Sequence, residues 1–158
     1  MKSGGAFKDA IGRILLAEDN ENDVELTREA LLGSNLTNDV DVVRDGKEAL
    51  DYLQKAGDYA KRESGDPVVI LLDLKMPRVD GLEVLRTVKG DPALAHIPVV
   101  MLTSSREERD LVESYRLGVN AYVVKPMDYG QFLDAVRQTG IFWAVLNHAP
   151  RRIPPLES

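Results

Sequence analysis

Three carboxylates, a hydroxyl and an amine stand directly after short apolar runs in this 158-residue chain. Arg13-Ile-Leu-Leu-Ala17 leads into Glu18-Asp19, and Val68-Val-Ile-Leu-Leu72 into Asp73. Val99-Val-Met-Leu102 leads into Thr103, and Ala121-Tyr-Val-Val124 into Lys125. Two carboxylates about 4 Å apart repel by roughly 4 kcal/mol at an effective dielectric of 20. Glu18, Asp19 and Asp73, if gathered at one place, therefore require a hard cation or a raised pKa. A few carboxylates around a wet position suit Mg²⁺, which keeps several waters and pairs with phosphate oxygens. Lys125 adds a point charge matched to a phosphoryl oxygen, and Thr103 adds a hydroxyl donor. Together these are the parts of a phosphoryl-transfer site.

The elements that must position them follow from periodicity. Apolar runs of four or five residues, alternating with amphipathic segments, predict parallel strands buried on both faces. In open α/β sheets ligands sit beyond the carboxyl ends of the strands, where all five groups fall. Asn20 predicts a helix cap, with Val24, Thr27 and Leu31 on one face. Val40–Val43 reads as a second strand. Asp45 followed by Glu48 predicts a capped helix with Ala49, Leu50 and Leu53 inward and Gly57 as its stop. Residues 58–67 are polar and read as a solvated loop. Asp80 caps a helix that is expected to bury Leu82, Leu85 and Val88 and to end at Gly90. A further helix is expected over 106–117, and a last one from about Asp128 with Phe132 and Val136 inward. Five βα units in sequence give an α/β, doubly wound sheet.

The ordered set resembles a two-component response regulator receiver domain, over about residues 12 to 140. The resemblance is carried by Glu18-Asp19, Leu72-Asp73-Leu-Lys-Met-Pro77, Asp80-Gly81, Thr103-Ser104-Ser105 and Tyr122-Val-Val-Lys125-Pro126. It implies a flavodoxin-like five-stranded parallel sheet in the order 2-1-3-4-5, with helices on both faces. It implies Asp73 as phosphoacceptor from a histidine kinase in a phosphorelay, assisted by Thr103 and Lys125. Mg²⁺ would be held by Asp19 and Asp73 directly, by Glu18 through water, and by the backbone carbonyl of Lys75. Thr103 and Tyr122 would form the switch, and the Lys125-Pro126 bond would be cis. Such a protein is a phosphoacceptor rather than an enzyme, catalysing only its own phosphorylation and dephosphorylation.

Three other functions fit less well. A haloacid-dehalogenase-type phosphatase needs a second acid two residues after its nucleophile, where this chain has Lys75. A flavodoxin-type FMN site needs a phosphate-binding loop after the first strand, and Ala17-Glu18-Asp19-Asn20-Glu21 would repel the phosphate. A phosphorylation-independent adaptor would normally have lost an acid, the acceptor or the lysine.

Composition narrows the setting. A net charge of −6 argues against non-specific nucleic-acid binding. The absence of cysteine removes any pressure toward a disulfide-bonded secreted reading, and no stretch approaches the ~20 apolar residues of a membrane span. The expectation is a cytoplasmic protein with a disordered segment at 1–12, a receiver domain with an extended last helix at 13–147, and a Pro-rich tail at 148–158. The stretch beyond Gly140 is expected to be too short for an output domain. Tyr115, Phe142, Trp143 and Leu146 are expected to form a homodimer interface. The polar 58–67 insertion and the Phe142-Trp143 extension also resemble regulators paired with phytochrome-type histidine kinases.

Overall fold

In a computed structural model the chain is described at residues 12–33, 39–125, 130, 131 and 134. Five strands form one parallel sheet in the order β2-β1-β3-β4-β5. They are β1 (Arg13–Ala17), β2 (Asp39–Val43), β3 (Val69–Leu72), β4 (Val99–Thr103) and β5 (Ala121–Val124). Between them run α1 (Glu21–Gly33), α2 (Gly46–Gln54), a 3₁₀ turn (Gly57–Tyr59), α3 (Gly81–Gly90) and α4 (Glu108–Arg116). Gly130, Gln131 and Asp134 are helical and exposed.

The continuous apolar strands serve two cores because successive side chains point to opposite faces. Leu15, Ala17, Ile70, Leu72, Val99 and Met101 pack against α2 and α3 through Ala49, Tyr52, Leu53, Val84, Leu85 and Val88. Ile14, Leu16, Val69, Leu71 and Val100 pack against α1 through Val24 and Leu31. Helices therefore cover both faces, as the unbroken hydrophobicity of the strands requires.

Local chemistry fixes where the helices begin. The Asn20 side chain accepts from the Asp23 N–H at 3.0 Å, Asp45 from Glu48 N–H at 2.8 Å, and Asp80 from Glu83 N–H at 3.0 Å. Each satisfies a donor that the first turn cannot pair internally.

Several sequence expectations shift. In α3 Val84 is fully buried and Leu82 only half-buried, because the inward stripe is Val84, Leu85 and Val88. In α2 Tyr52 belongs to the core, while Leu50 packs on its margin. That helix ends not at Gly57 but at Lys55, whose left-handed backbone (φ 55°) lets its N–H close on Asp51 and Tyr52 carbonyls. Residues 58–67 are not simply solvated. The Tyr59 ring meets Tyr52 edge-on at 5.2 Å, and the Arg62 guanidinium lies over Tyr52 at 4.1 Å. The fourth helix is shorter than the expected span, starting at Glu108. Pro126, Asp128, Phe132, Val136, Phe142, Trp143 and Leu146 lie outside the described residues.

Candidate functional site

Asp73 follows the last residue of β3, and its N–H donates to Ala17 O at 3.0 Å, so it stands beside the exit of β1. Glu18 leaves β1 there, with its own N–H on Val43 O at 2.9 Å. Lys125 follows β5, and its N–H donates to Thr103 O at 2.8 Å. Parallel pairing alone thus brings the ends of four strands to one edge. The predicted residues Glu18, Asp19, Asp73, Thr103 and Lys125 all lie on it.

The side chains then meet. One carboxylate oxygen from each of Glu18, Asp19 and Asp73 lies within 4.8 Å of the others. Glu18 and Asp73 are buried, and Asp19 is exposed. The Lys125 ammonium donates to Glu18 Oε1 at 2.7 Å, Asp23 Oδ2 at 2.8 Å and Asp73 Oδ2 at 3.4 Å. Asp73 Oδ1 is buried with no hydrogen-bond partner. A buried carboxylate oxygen without a donor is costly, and this one lies among two further acids. The set fits a divalent cation: all-oxygen, anionic, wet on the Asp19 side, and with an acceptor left over.

Three acids share one amine, with Asp19 beside them, and the electrostatics reflect it. Burial pushes the Glu18 carboxyl up to about 7, with the Asp73 charge acting in the same direction and the Lys125 bond opposing both. Burial opposes the charge on Lys125, but its bonds to Asp23 and Glu18 and the Asp73 charge outweigh burial and hold its pKa above the ordinary value.

The segment after Asp73 is held by a close approach. A Cβ at Gly81 would stand 2.3 Å from Asp73 O, so only glycine lets α3 start there. Gly81 N–H also donates to Leu74 O at 2.8 Å. Arg78, in the left-handed region at φ 67°, donates to both carboxylate oxygens of Asp45 at 3.0 and 3.1 Å, tying this loop to the cap of α2. Lys75 is exposed on the same loop.

Thr103 is fully buried, and its Oγ1 accepts from Ser105 N–H at 3.2 Å. Ser105 bears more of the local network than the sequence suggested. Its Oγ donates to Asp110 Oδ2 at 2.6 Å, and its carbonyl accepts from the Tyr122 hydroxyl at 3.2 Å. Tyr122 is half-buried, and burial raises its pKa. Tyr115 sits on α4, 47% exposed.

Two residues escaped the sequence reading. Asp23 was visible only as a polar neighbour of the inward Val24. Its signal was an acid in the first turn of the helix that begins beside Glu18-Asp19. Asp110 is buried on a helix rich in charge, with Ser114 Oγ donating to its carbonyl at 2.7 Å. Nothing in the local sequence separated it from its exposed neighbours.

Comparison with known proteins points one way. The family described as response regulator receiver domain matches residues 14–137. The chain is 41% identical over 130 residues to the response regulator Rcp1 of Synechocystis sp., covering 82% of this chain and 87% of that protein. Among solved structures, the bacteriophytochrome response regulator AtBRR is 63% identical with a TM-score of 0.78, over 86% of this chain and 97% of that one. The Mn²⁺-bound form of Rcp1 is 37% identical with a TM-score of 0.70, over 91% and 99%.

Proposed function

We propose that this chain, which belongs to the response regulator receiver domain family, takes a phosphoryl group onto Asp73 from a phytochrome-type sensor histidine kinase. The observation that carries the reading is Asp73 itself: buried, with one oxygen unpartnered, beside two further acids and a lysine. An Asp73 oxygen attacks phosphorus in line. The new P–O bond forms as the bond to the donor nitrogen breaks, and the leaving imidazole keeps the electron pair and takes a proton from solvent. Lys125 receives negative charge on a phosphoryl oxygen, and Thr103 supplies its hydroxyl to another.

Glu18, Asp19, Asp73 and the backbone carbonyl of Lys75 would hold Mg²⁺. When bound, that ion would supply positive charge that offsets the carboxylates and the phosphoryl group. The three-acid cluster and the Mn²⁺ in the similar Rcp1 structure support a divalent cation. The kinase class rests on the similarity to a bacteriophytochrome response regulator.

The switch runs from Thr103 to Tyr122. Withdrawing the Thr103 hydroxyl toward phosphate frees the Ser105 N–H, and Ser105 is the residue whose carbonyl holds the Tyr122 hydroxyl. Tyr122 then turns inward and alters the surface of α4 and β5. Leu111, Val112 and Tyr115 are exposed on α4, which supports a homodimer on that face; Phe142, Trp143 and Leu146, expected at the same interface, lie outside the described residues. We assign the receiver to residues 13–147, flanked by an N-terminal 1–12 segment and a Pro-rich 148–158 tail, and the protein to the cytoplasm. No helix among the described residues is long and apolar enough to cross a membrane.

Incubation with acetyl phosphate and Mg²⁺, followed by intact-mass measurement, tests the reading. One phosphoryl addition is expected, lost in Asp73→Asn and in EDTA. Full labelling of Asp73→Asn would remove Asp73 from the mechanism.

A further inference from the structure

Lys125 makes its two short bonds to groups other than the expected acceptor. Its Nζ lies 2.7 Å from Glu18 Oε1 and 2.8 Å from Asp23 Oδ2, but 3.4 Å from Asp73 Oδ2. An ammonium has three donors, and here all three point at carboxylates. Glu18 belongs to the cluster of three acids that a cation would draw together. Asp23 does not. It stands in the first turn of α1, with its side chain 30% exposed, and its backbone N–H is fixed by Asn20. The ammonium it holds is only 12% exposed, so little water competes for this bond.

We infer that Asp23 is a positioning residue, which holds the Lys125 amine aside in the resting protein and competes with the phosphoryl group for it. The inference rests on the phosphoacceptor reading of Asp73 and adds regulation to the same site. To meet a phosphoryl oxygen on Asp73, the amine must give up at least one short bond. A cation held at the three-acid cluster would weaken the first of these, and Asp23 would be the partner that remains. Charge-assisted bonds of this kind are roughly twice as strong as neutral ones. The cost of releasing Asp23 is therefore subtracted from the affinity for the phosphoryl group. Asp23 also places a negative charge near the incoming dianion, which acts in the same direction. A chain with an uncharged group at this position should stay phosphorylated longer.

The test uses beryllofluoride, a phosphoryl analogue, on the full chain in saturating Mg²⁺, with binding read by calorimetry. Asp23→Asn should bind about ten-fold more tightly than wild type, as expected for the loss of one charge-assisted competitor. Asp23→Glu should return affinity toward wild type, since a carboxylate is restored. The decisive readout is the double-mutant cycle with Lys125→Met. In that background Asp23→Asn should tighten binding clearly less than in wild type, because the amine it competes for is gone and only its charge repulsion is relieved. A purely structural role for Asp23 would give the same effect in both backgrounds and would overturn the inference. So would unchanged or weaker binding in Asp23→Asn. If wild type itself takes no beryllofluoride, the phosphoacceptor reading fails and this inference with it. If wild type binds and Asp23→Asn matches it, only the inference fails.

Discussion

Two clusters of charge flank the same strand, and they are built on opposite plans. At the start of β1, Arg13 donates to Asp41 through Nε and Nη2 at 2.8 and 2.7 Å, and to Asp39 at 3.3 Å. The Tyr52 hydroxyl also donates to Asp41, and Arg62 covers the Tyr52 ring while donating to Tyr52 O at 2.9 Å. Arg62 Nη2 lacks a hydrogen-bond partner, but its guanidinium faces a π system that favours a cation. Here the bidentate bond to Arg13 holds Asp41 below the usual carboxylate range. At the other end of β1, one amine serves Glu18, Asp23 and Asp73, and burial drives Glu18 up to about 7. The first cluster is matched in charge and geometry, so it closes the sheet edge onto the 57–62 segment. The second is left short of positive charge. On the proposed function, a divalent cation and a phosphoryl group would meet the charge of the second cluster, and the difference would then separate structural from functional acids.

The comparison makes measurable claims. The largest effect should be all-or-none: Asp73→Asn loses acetyl-phosphate labelling, whereas Asp41→Asn retains it, as intact mass will report. Loss of labelling in folded Asp41→Asn would mean that the two clusters are not functionally separate.

Next is stability. Asp41→Asn leaves Arg13 without its bidentate partner and should cost about 1.5–3 kcal/mol in urea unfolding at pH 7. The sign with pH follows from linkage. Asp41 has a depressed folded pKa, so its contribution is complete above the unfolded value of about 4 and is lost as pH falls through the folded value. The gap between wild type and Asp41→Asn should therefore close in acid. A gap that persists unchanged at the lowest pH where both fold would assign the effect to packing.

Magnesium should act on the other cluster alone. At a hundred-fold excess over its dissociation constant, a single-site ligand stabilises by about 2.7 kcal/mol. That gain should appear in wild type and in Asp41→Asn, and fade in Asp19→Asn, in thermal melts with and without EDTA. An equal gain in all three would place the cation elsewhere.

The smallest effect is a reversal of the usual sign. Without divalent cations, Asp73→Asn should be slightly more stable than wild type, because it removes a charge that repels the buried Glu18 carboxylate. A destabilised Asp73→Asn would show that Lys125 already satisfies the cluster.

Much of this architecture could be read from the chain because it depends on local patterns. Unbroken apolar runs such as Val69–Leu72 cannot sit at a surface, so a sheet covered on both faces follows from them. Caps at Asn20, Asp45 and Asp80 act within one turn, and each was legible for that reason. The edge that gathers Glu18, Asp19, Asp73, Thr103 and Lys125 follows from strand ends in a parallel sheet. What the sequence missed depends on partners distant along the chain. Asp23 meets Lys125 across 102 positions, and Arg13 meets Asp41 across 28. Val84 rather than Leu82 faces inward because the close approach of Gly81 to Asp73 O sets the rotation of α3. Which groups lie at the site was thus determined by sequence order, since strand ends in a parallel sheet share one edge. How the charges are divided there, with Lys125 held by Glu18 and Asp23 and one oxygen of Asp73 left unpaired, was decided only by tertiary structure, because hydrogen bonding depends on distances of tenths of an ångström that no spacing along the chain encodes.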